Sequence, residues 1–182
     1  MKNLIIWLNN LSGTDYIDIT MLILTIVGGM FALIQWNEAN KTRRAEFVNR
    51  LVEKMRDDED IVKITHMFDY NFNWYNDKFQ DSELEDKVDK TLSFFSYICY
   101  LRKNNIIGKK DFDFFNYDIQ RIANNASIQA YFFNIYNFAN RQNAEMSFCY
   151  LFNYCCEHKL FGEEVNEIKN PKSKLYPKYL NF

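Results

Sequence analysis

Few residues of this chain are spaced in a way that suggests chemistry, and the most suggestive pair lies toward its C-terminal end. Asn153 is followed, after four intervening residues, by His158, one of two histidines in the chain. Histidine is suited to general acid–base catalysis near neutral pH, but the alternative is an ordinary histidine at a helix C-terminus, where a cation is favoured. The chain lacks a glycine-rich phosphate loop and the HExxH and GxSxG motifs. The sequence therefore predicts no catalytic residues.

The four cysteines suggest a second kind of chemistry, metal binding. They include no Cys-x-x-Cys pair, and their spacing is unlike a secreted disulfide framework. The segment Cys155-Cys156-Glu157-His158 could form part of a metal site, although zinc needs about four ligands and the only other histidine is His66. The sequence favours reduced, buried thiols, and it predicts neither a metal nor a cofactor.

The longest uncharged run of the chain, from Ile19 to Trp36, predicts a transmembrane helix over residues 14–40. Its length of about 18 residues is at the lower end of what an α-helix needs to cross a bilayer. A cleaved signal peptide fits less well, because the run begins late and no Ala-x-Ala site follows it. The remaining alternative is a buried helix of a soluble protein.

Charges on the two sides of this run predict its orientation. Lys41, Arg43 and Arg44 form a basic cluster just after the run, whereas Asp15 and Asp18 precede it. Basic residues collect on the cytosolic side of membrane proteins. Because the composition suggests an AT-rich bacterial genome, we expect a single-pass protein of the bacterial inner membrane, with its N-terminus outside and its C-terminal part in the cytosol.

Small residues form a stripe along the predicted transmembrane helix. Thr25 and Gly29 are four positions apart, as are Gly28 and Ala32. Small residues at this spacing allow helix backbones to approach closely in a membrane. The stripe predicts a homo-oligomer in the lipid bilayer. A single helix cannot line a pore, so any conduction would require a ring of copies.

The rest of the chain predicts an all-α fold. Five glycines, two prolines and helical hydrophobic spacing favour a cytosolic helical bundle over 41–165. Within it we expect a second helix over 60–75 and a last helix over 142–160. Residues 1–13 are expected to lie along the membrane interface, with a disordered tail as the alternative, and 166–182 to form an extended basic tail. The net charge of −2 argues against strong nucleic-acid binding driven by bulk charge.

The segment from Asn153 to His158 resembles a motif of compact helical ribonuclease domains of the HEPN type. These domains carry an arginine followed a few residues later by a histidine on one helix, near the scissile phosphate. Here asparagine occupies the position of the arginine and cannot supply its charge. The nearest upstream arginine, Arg141, is too far along the chain to replace it. The motif is therefore degenerate.

The chain as a whole resembles the single-span membrane accessory protein encoded beside the RNA-guided RNA nuclease of type VI-B CRISPR systems. The resemblance rests on the TIVGGMFALIQW span, the KTRR segment that follows it, the helical cytosolic part and the degenerate motif. It implies a HEPN-like fold and a ring-shaped oligomer whose pore depolarises the inner membrane during antiphage defence. The RNA nuclease would be its functional partner. Two alternatives are a membrane-anchored interaction module without pore activity and a membrane-tethered HEPN-type ribonuclease.

Overall fold

A computed structural model describes residues 12–70 and 73–161, and its regular elements in these ranges are all α-helices. The all-α prediction is confirmed for this part of the chain. The helices are α1 (Gly13–Asp57), α2 (Glu59–Asp69), α3 (Glu83–Lys103), α4 (Lys109–Asn124), α5 (Ala126–Gln142) and α6 (Cys149–Glu157). The chain divides into two units, residues 1–47 and 48–182. The predicted tail over 166–182, and nearly all of the predicted interfacial segment 1–13, lie outside the described residues.

Helix α1 contains the apolar run and continues well beyond it. The helix has 45 residues and is therefore about 68 Å long at 1.5 Å per residue, more than twice the thickness of a hydrocarbon core. None of its most apolar stretch is buried within the chain. The hydroxyls of Thr20 and Thr25 donate to the carbonyls of Tyr16 (2.7 Å) and Met21 (2.8 Å). Such bonds satisfy polar groups without water.

Helix α3 is central to the second unit, where it packs against α2, α4 and α6. Its buried side chains recur at intervals of three and four residues, so they form one continuous stripe along the helix. Helix α4 in turn packs against α2, α5 and α6. The core is rich in aromatic side chains, and its largest fully buried ones are Phe95, Phe115, Phe132, Phe133 and Phe152.

Side-chain caps define where several helices begin. The carboxylate of Asp58 accepts the N–H groups of Asp60 (3.1 Å) and Ile61 (3.4 Å), which starts α2 immediately after α1. The hydroxyl of Ser82 accepts the N–H of Glu85 (3.2 Å) at the start of α3. These acceptors satisfy backbone donors that have no partner inside a helix.

The predicted second helix over 60–75 was wrong at its C-terminal end, because α2 stops at Asp69. The chain leaves the helix there, and Trp74 and Phe79 become buried in the connection to α3. Their rings lie 5.1 Å apart, and Phe79 lies 5.3 Å from Tyr131 of α5. Burial of these rings against a distant helix favours a loop over further helical turns.

The predicted last helix over 142–160 was also wrong, because residues 143–148 separate α5 from α6. Asn143 ends α5 with a positive φ of 50°, a conformation that asparagine tolerates better than most residues. Phe148 also has a positive φ, 58°, at the start of α6. Helix α6 then ends at Glu157, and His158 is its C-cap.

Candidate functional site

A cleft of about 560 Å³ lies where the end of α3, the start of α4 and helix α6 meet. Asn153 and His158 both line it, so the structure places the two residues of the degenerate motif at one site. The turn between α3 and α4 holds the cleft together: the N–H groups of Ile106 and Ile107 donate to the Leu101 carbonyl (3.0 and 3.3 Å). Ile107 is fully buried and anchors this turn.

An aromatic stack forms one wall of the cleft. The rings of Tyr154 and His158 are 4.0 Å apart at 22°, and the Phe112 ring lies 4.9 Å from the Tyr154 ring. Nδ1 of His158 is 3.0 Å from the Tyr154 carbonyl oxygen. Because a carbonyl only accepts, Nδ1 carries the hydrogen in this contact and Nε2 is an acceptor when the ring is neutral. Burial raises the pKa of the Tyr154 hydroxyl, so it remains a hydrogen-bond donor.

Three permanent cations also line the cleft: Arg102, Lys103 and Lys109. Lys103 Nζ lies 5.5 Å from the ring centroid of Tyr150, within cation–π range. Arg102 is partly buried, and it has no hydrogen bond or ion pair within residues 12–70 and 73–161. This contrasts with Arg121, which the structure pairs with several groups.

Two carboxylates and three amides complete the lining. The carboxylates are Asp113 and Glu157, and the amides belong to Asn105, Asn116 and Asn153. Neither carboxylate forms an ion pair with a lining cation in the part of the chain that the structure describes. The cleft therefore combines an excess of positive charge with hydrogen-bonding side chains and exposed ring surface.

Sequence reasoning missed Arg102, because it looked for an arginine on the helix that carries His158. Arg102 reaches the cleft from α3, and Lys109 from the first turn of α4. Pairs of basic residues on both sides of Gly108, Arg102-Lys103 and Lys109-Lys110, were the available signal. The relation of these pairs to α6 depends on tertiary packing.

The residues predicted for membrane packing all lie in α1. Thr25, Gly28, Gly29 and Ala32 are exposed in the single chain. A Cβ atom added at Gly28 or Gly29 would meet nothing within 4 Å. Contacts within this chain therefore do not require glycine at either position.

The basic cluster that follows the apolar run also lies in α1. Lys41 forms an exposed ion pair with Glu38 (2.8 Å), and Arg43 and Arg44 are exposed as well. All three residues therefore extend from the helix just beyond its apolar stretch.

The cysteines do not converge with other ligands in the described ranges. Cys99 and Cys155 are buried, Cys149 and Cys156 are partly buried, and no disulfide joins any of them in the described ranges. Burial raises the pKa of Cys99 and of Cys155, which favours the neutral thiol. Residues 12–70 and 73–161 contain no group of three or more histidine, cysteine or acidic side chains placed to hold a metal ion.

Comparisons of the chain with models of protein families, with curated proteins and with solved structures find no match.

Proposed function

We propose that this chain is a single-pass protein of the bacterial inner membrane, with α1 as the span. One observation carries the proposal: α1 is long and apolar enough to cross a bilayer, and its most apolar stretch is unburied. Exposed to water, so large an apolar surface would be strongly unfavourable. Lys41, Arg43 and Arg44 lie beyond the apolar run, which supports an outside N-terminus and a cytosolic helical domain.

We propose further that copies assemble into a ring whose α1 helices enclose a membrane pore. The small-residue stripe supports close helix packing, since Gly28 and Gly29 have open space around them within one chain. In this proposal the cytosolic domain is HEPN-like, and opening of the pore depolarises the membrane during CRISPR antiphage defence. An RNA-guided RNA nuclease of type VI-B is the functional partner.

Ion flux and oligomer mass test the pore. The full chain, reconstituted in liposomes, should dissipate a potassium gradient, and in detergent its mass should correspond to several chains. Gly29→Leu should lower both flux and oligomer mass, because it blocks close approach of the backbones. Met30→Leu is the matched control on a different face of α1. A wild-type chain that stays monomeric in detergent would refute the pore.

Replacing residues 19–36 by an unrelated single span separates the pore from a passive anchor. If the protein acts as a pore, this replacement should abolish defence while the protein still localises to the membrane. Retained defence would favour the membrane-anchored interaction module.

A second candidate, a membrane-tethered ribonuclease, gains support from Arg102. The structure places this arginine at the same cleft as His158. Its guanidinium is the kind of charged, phosphate-binding group that the degenerate motif lacks. RNA incubated with the full chain and with His158→Ala tests this candidate. Cleavage that disappears in the variant would support it, and equal cleavage by both proteins would remove His158 from the reaction.

A further inference from the structure

The Arg102 side chain is the starting point, because it is partly buried and has no hydrogen bond or ion pair to any residue that the structure describes. A guanidinium removed from water normally donates hydrogen bonds to carboxylates or carbonyls. Arg121 donates in this way to Asp69, Asp118 and the Thr65 carbonyl. Arg102 faces a cleft instead. An unpaired cation in a cleft is suited to an anionic ligand, and the planar guanidinium matches two phosphate oxygens.

The other lining residues identify what such an anion would be attached to. Lys103 and Lys109 add charge for a phosphate. The carboxylates of Asp113 and Glu157 accept hydrogen bonds. A fully ionised inorganic anion has no hydrogen to donate to them, whereas the hydroxyls of a ribose do. Tyr150 and Tyr154 line the same cleft, and although Lys103 lies over one ring and His158 stacks on the other, both residues remain partly exposed and leave ring surface for a base.

The dimensions of the cleft agree with a small ligand. Its volume of about 560 Å³ lies inside the range of roughly 300–1,000 Å³ for small-molecule sites. The amide groups of Asn116 and Asn153, both partly buried, can each donate and accept hydrogen bonds to a base edge.

We infer that the cleft between α3, α4 and α6 binds a nucleoside phosphate, with its phosphate on Arg102 and Lys109 and its base against the tyrosines. This inference rests on the cleft alone and does not require that α1 forms a pore. A failure of the ion-flux experiment therefore leaves it intact.

Binding of nucleoside diphosphates to the full chain in detergent tests the inference, measured by isothermal titration calorimetry. ADP and GDP are compared with pyrophosphate, which carries the same diphosphate without a nucleoside. At least one nucleotide should bind saturably and more tightly than pyrophosphate. Arg102→Gln should weaken that binding by about tenfold or more, because it removes a charge-assisted contact. Lys109→Gln, at an exposed position, should also weaken it.

Arg50→Gln is the matched control, since it removes the same charge from an exposed arginine of α1. It should bind the nucleotide as the wild type does. Three results would each overturn the inference: no saturable binding at about 1 mM nucleotide, equal binding by Arg102→Gln and wild type, or pyrophosphate binding as tightly as both nucleotides.

Discussion

Replacing Arg121 by glutamine tests how much of the stability of the helical domain depends on one ionic cluster between α2 and α4. The Arg121 side chain is only 14% exposed. Its guanidinium donates to both carboxylate oxygens of Asp69, to Asp118 Oδ1 (2.8 Å) and to the Thr65 carbonyl (2.7 Å). A single side chain thus joins the end of α2 to the last turns of α4.

The expected loss of stability follows from what each hydrogen-bond partner of Arg121 loses in the variant. The Thr65 carbonyl loses one hydrogen bond, worth about 1 kcal/mol. Asp118 is 14% exposed and becomes an uncompensated charge, whereas Asp69 is 40% exposed and is largely rehydrated by solvent. We expect Arg121→Gln to reduce the free energy of unfolding by about 3 kcal/mol, the lower end of the cost of breaking a buried ion pair. At about 3–4 °C per kcal/mol for a domain of this size, the melting temperature should fall by about 10 °C.

Differential scanning fluorimetry of the full chain in detergent measures this change, and Arg102→Gln is the control. The control removes the same charge from a guanidinium that has no partner in the described structure. Its melting temperature without ligand should therefore stay within about 2 °C of the wild type, since such a change costs about 0.5 kcal/mol or less. Equal losses in the two variants would refute the distinction between a structural and an unpaired arginine.

Three further perturbations test the helix cap, the core and a partly buried carboxylate. Asp58→Ala should cost about 1 kcal/mol because it removes the N-cap of α2, whereas Asp58→Asn should retain the cap. Phe115→Ala should cost about 3–5 kcal/mol because Phe115 is fully buried, whereas Phe114→Ala, at a 61% exposed neighbour, should change little. Burial raises the pKa of Asp89 although Tyr131 donates to it (2.6 Å). The ionised form is thus disfavoured in the fold, and stability from this group is lost as pH rises through the folded pKa. The melting temperature of Asp89→Asn relative to wild type should therefore increase from about pH 4 to pH 7.

Thermal melts at fixed pH check the first two comparisons, and melts across the pH range check the third. Equal destabilisation by the alanine and asparagine variants of Asp58 would assign the effect to its charge. Similar losses at Phe114 and Phe115 would contradict the described core. A difference between Asp89→Asn and wild type that is independent of pH would show that the carboxylate titrates normally.

Features that depend on neighbouring residues were predictable from the sequence. The apolar run, the small-residue stripe and the basic cluster all lie within one continuous helix, where positions four apart are always adjacent. The periodic apolar residues of α3, such as Val88, Leu92 and Phe95, are buried as their spacing indicated. The caps of α2 and α3 are local as well, because Asp58 and Ser82 accept N–H groups only two or three residues further along the chain.

The end of α2 and the break between α5 and α6 were not predictable in the same way. Trp74 and Phe79 could have continued a helix, but burial against Tyr131 of α5 stabilises a loop instead. Asn143 ends α5 because the chain turns there to place Met146 in the core. Both outcomes depend on contacts between residues far apart in the chain, which local propensity does not describe.

By itself, the sequence determined the apolar helix, its flanking charges and the helical character of the remainder, because each follows from residue types within a few turns. Only the tertiary structure decided the candidate site. His158 and Asn153 on α6 gained their charged neighbours from α3 and α4, since packing of the three helices brings Arg102 and Lys109 to the same cleft. The positive charge of the cleft therefore comes from residues that are distant in sequence from Asn153 and His158 and share a site with them only after folding.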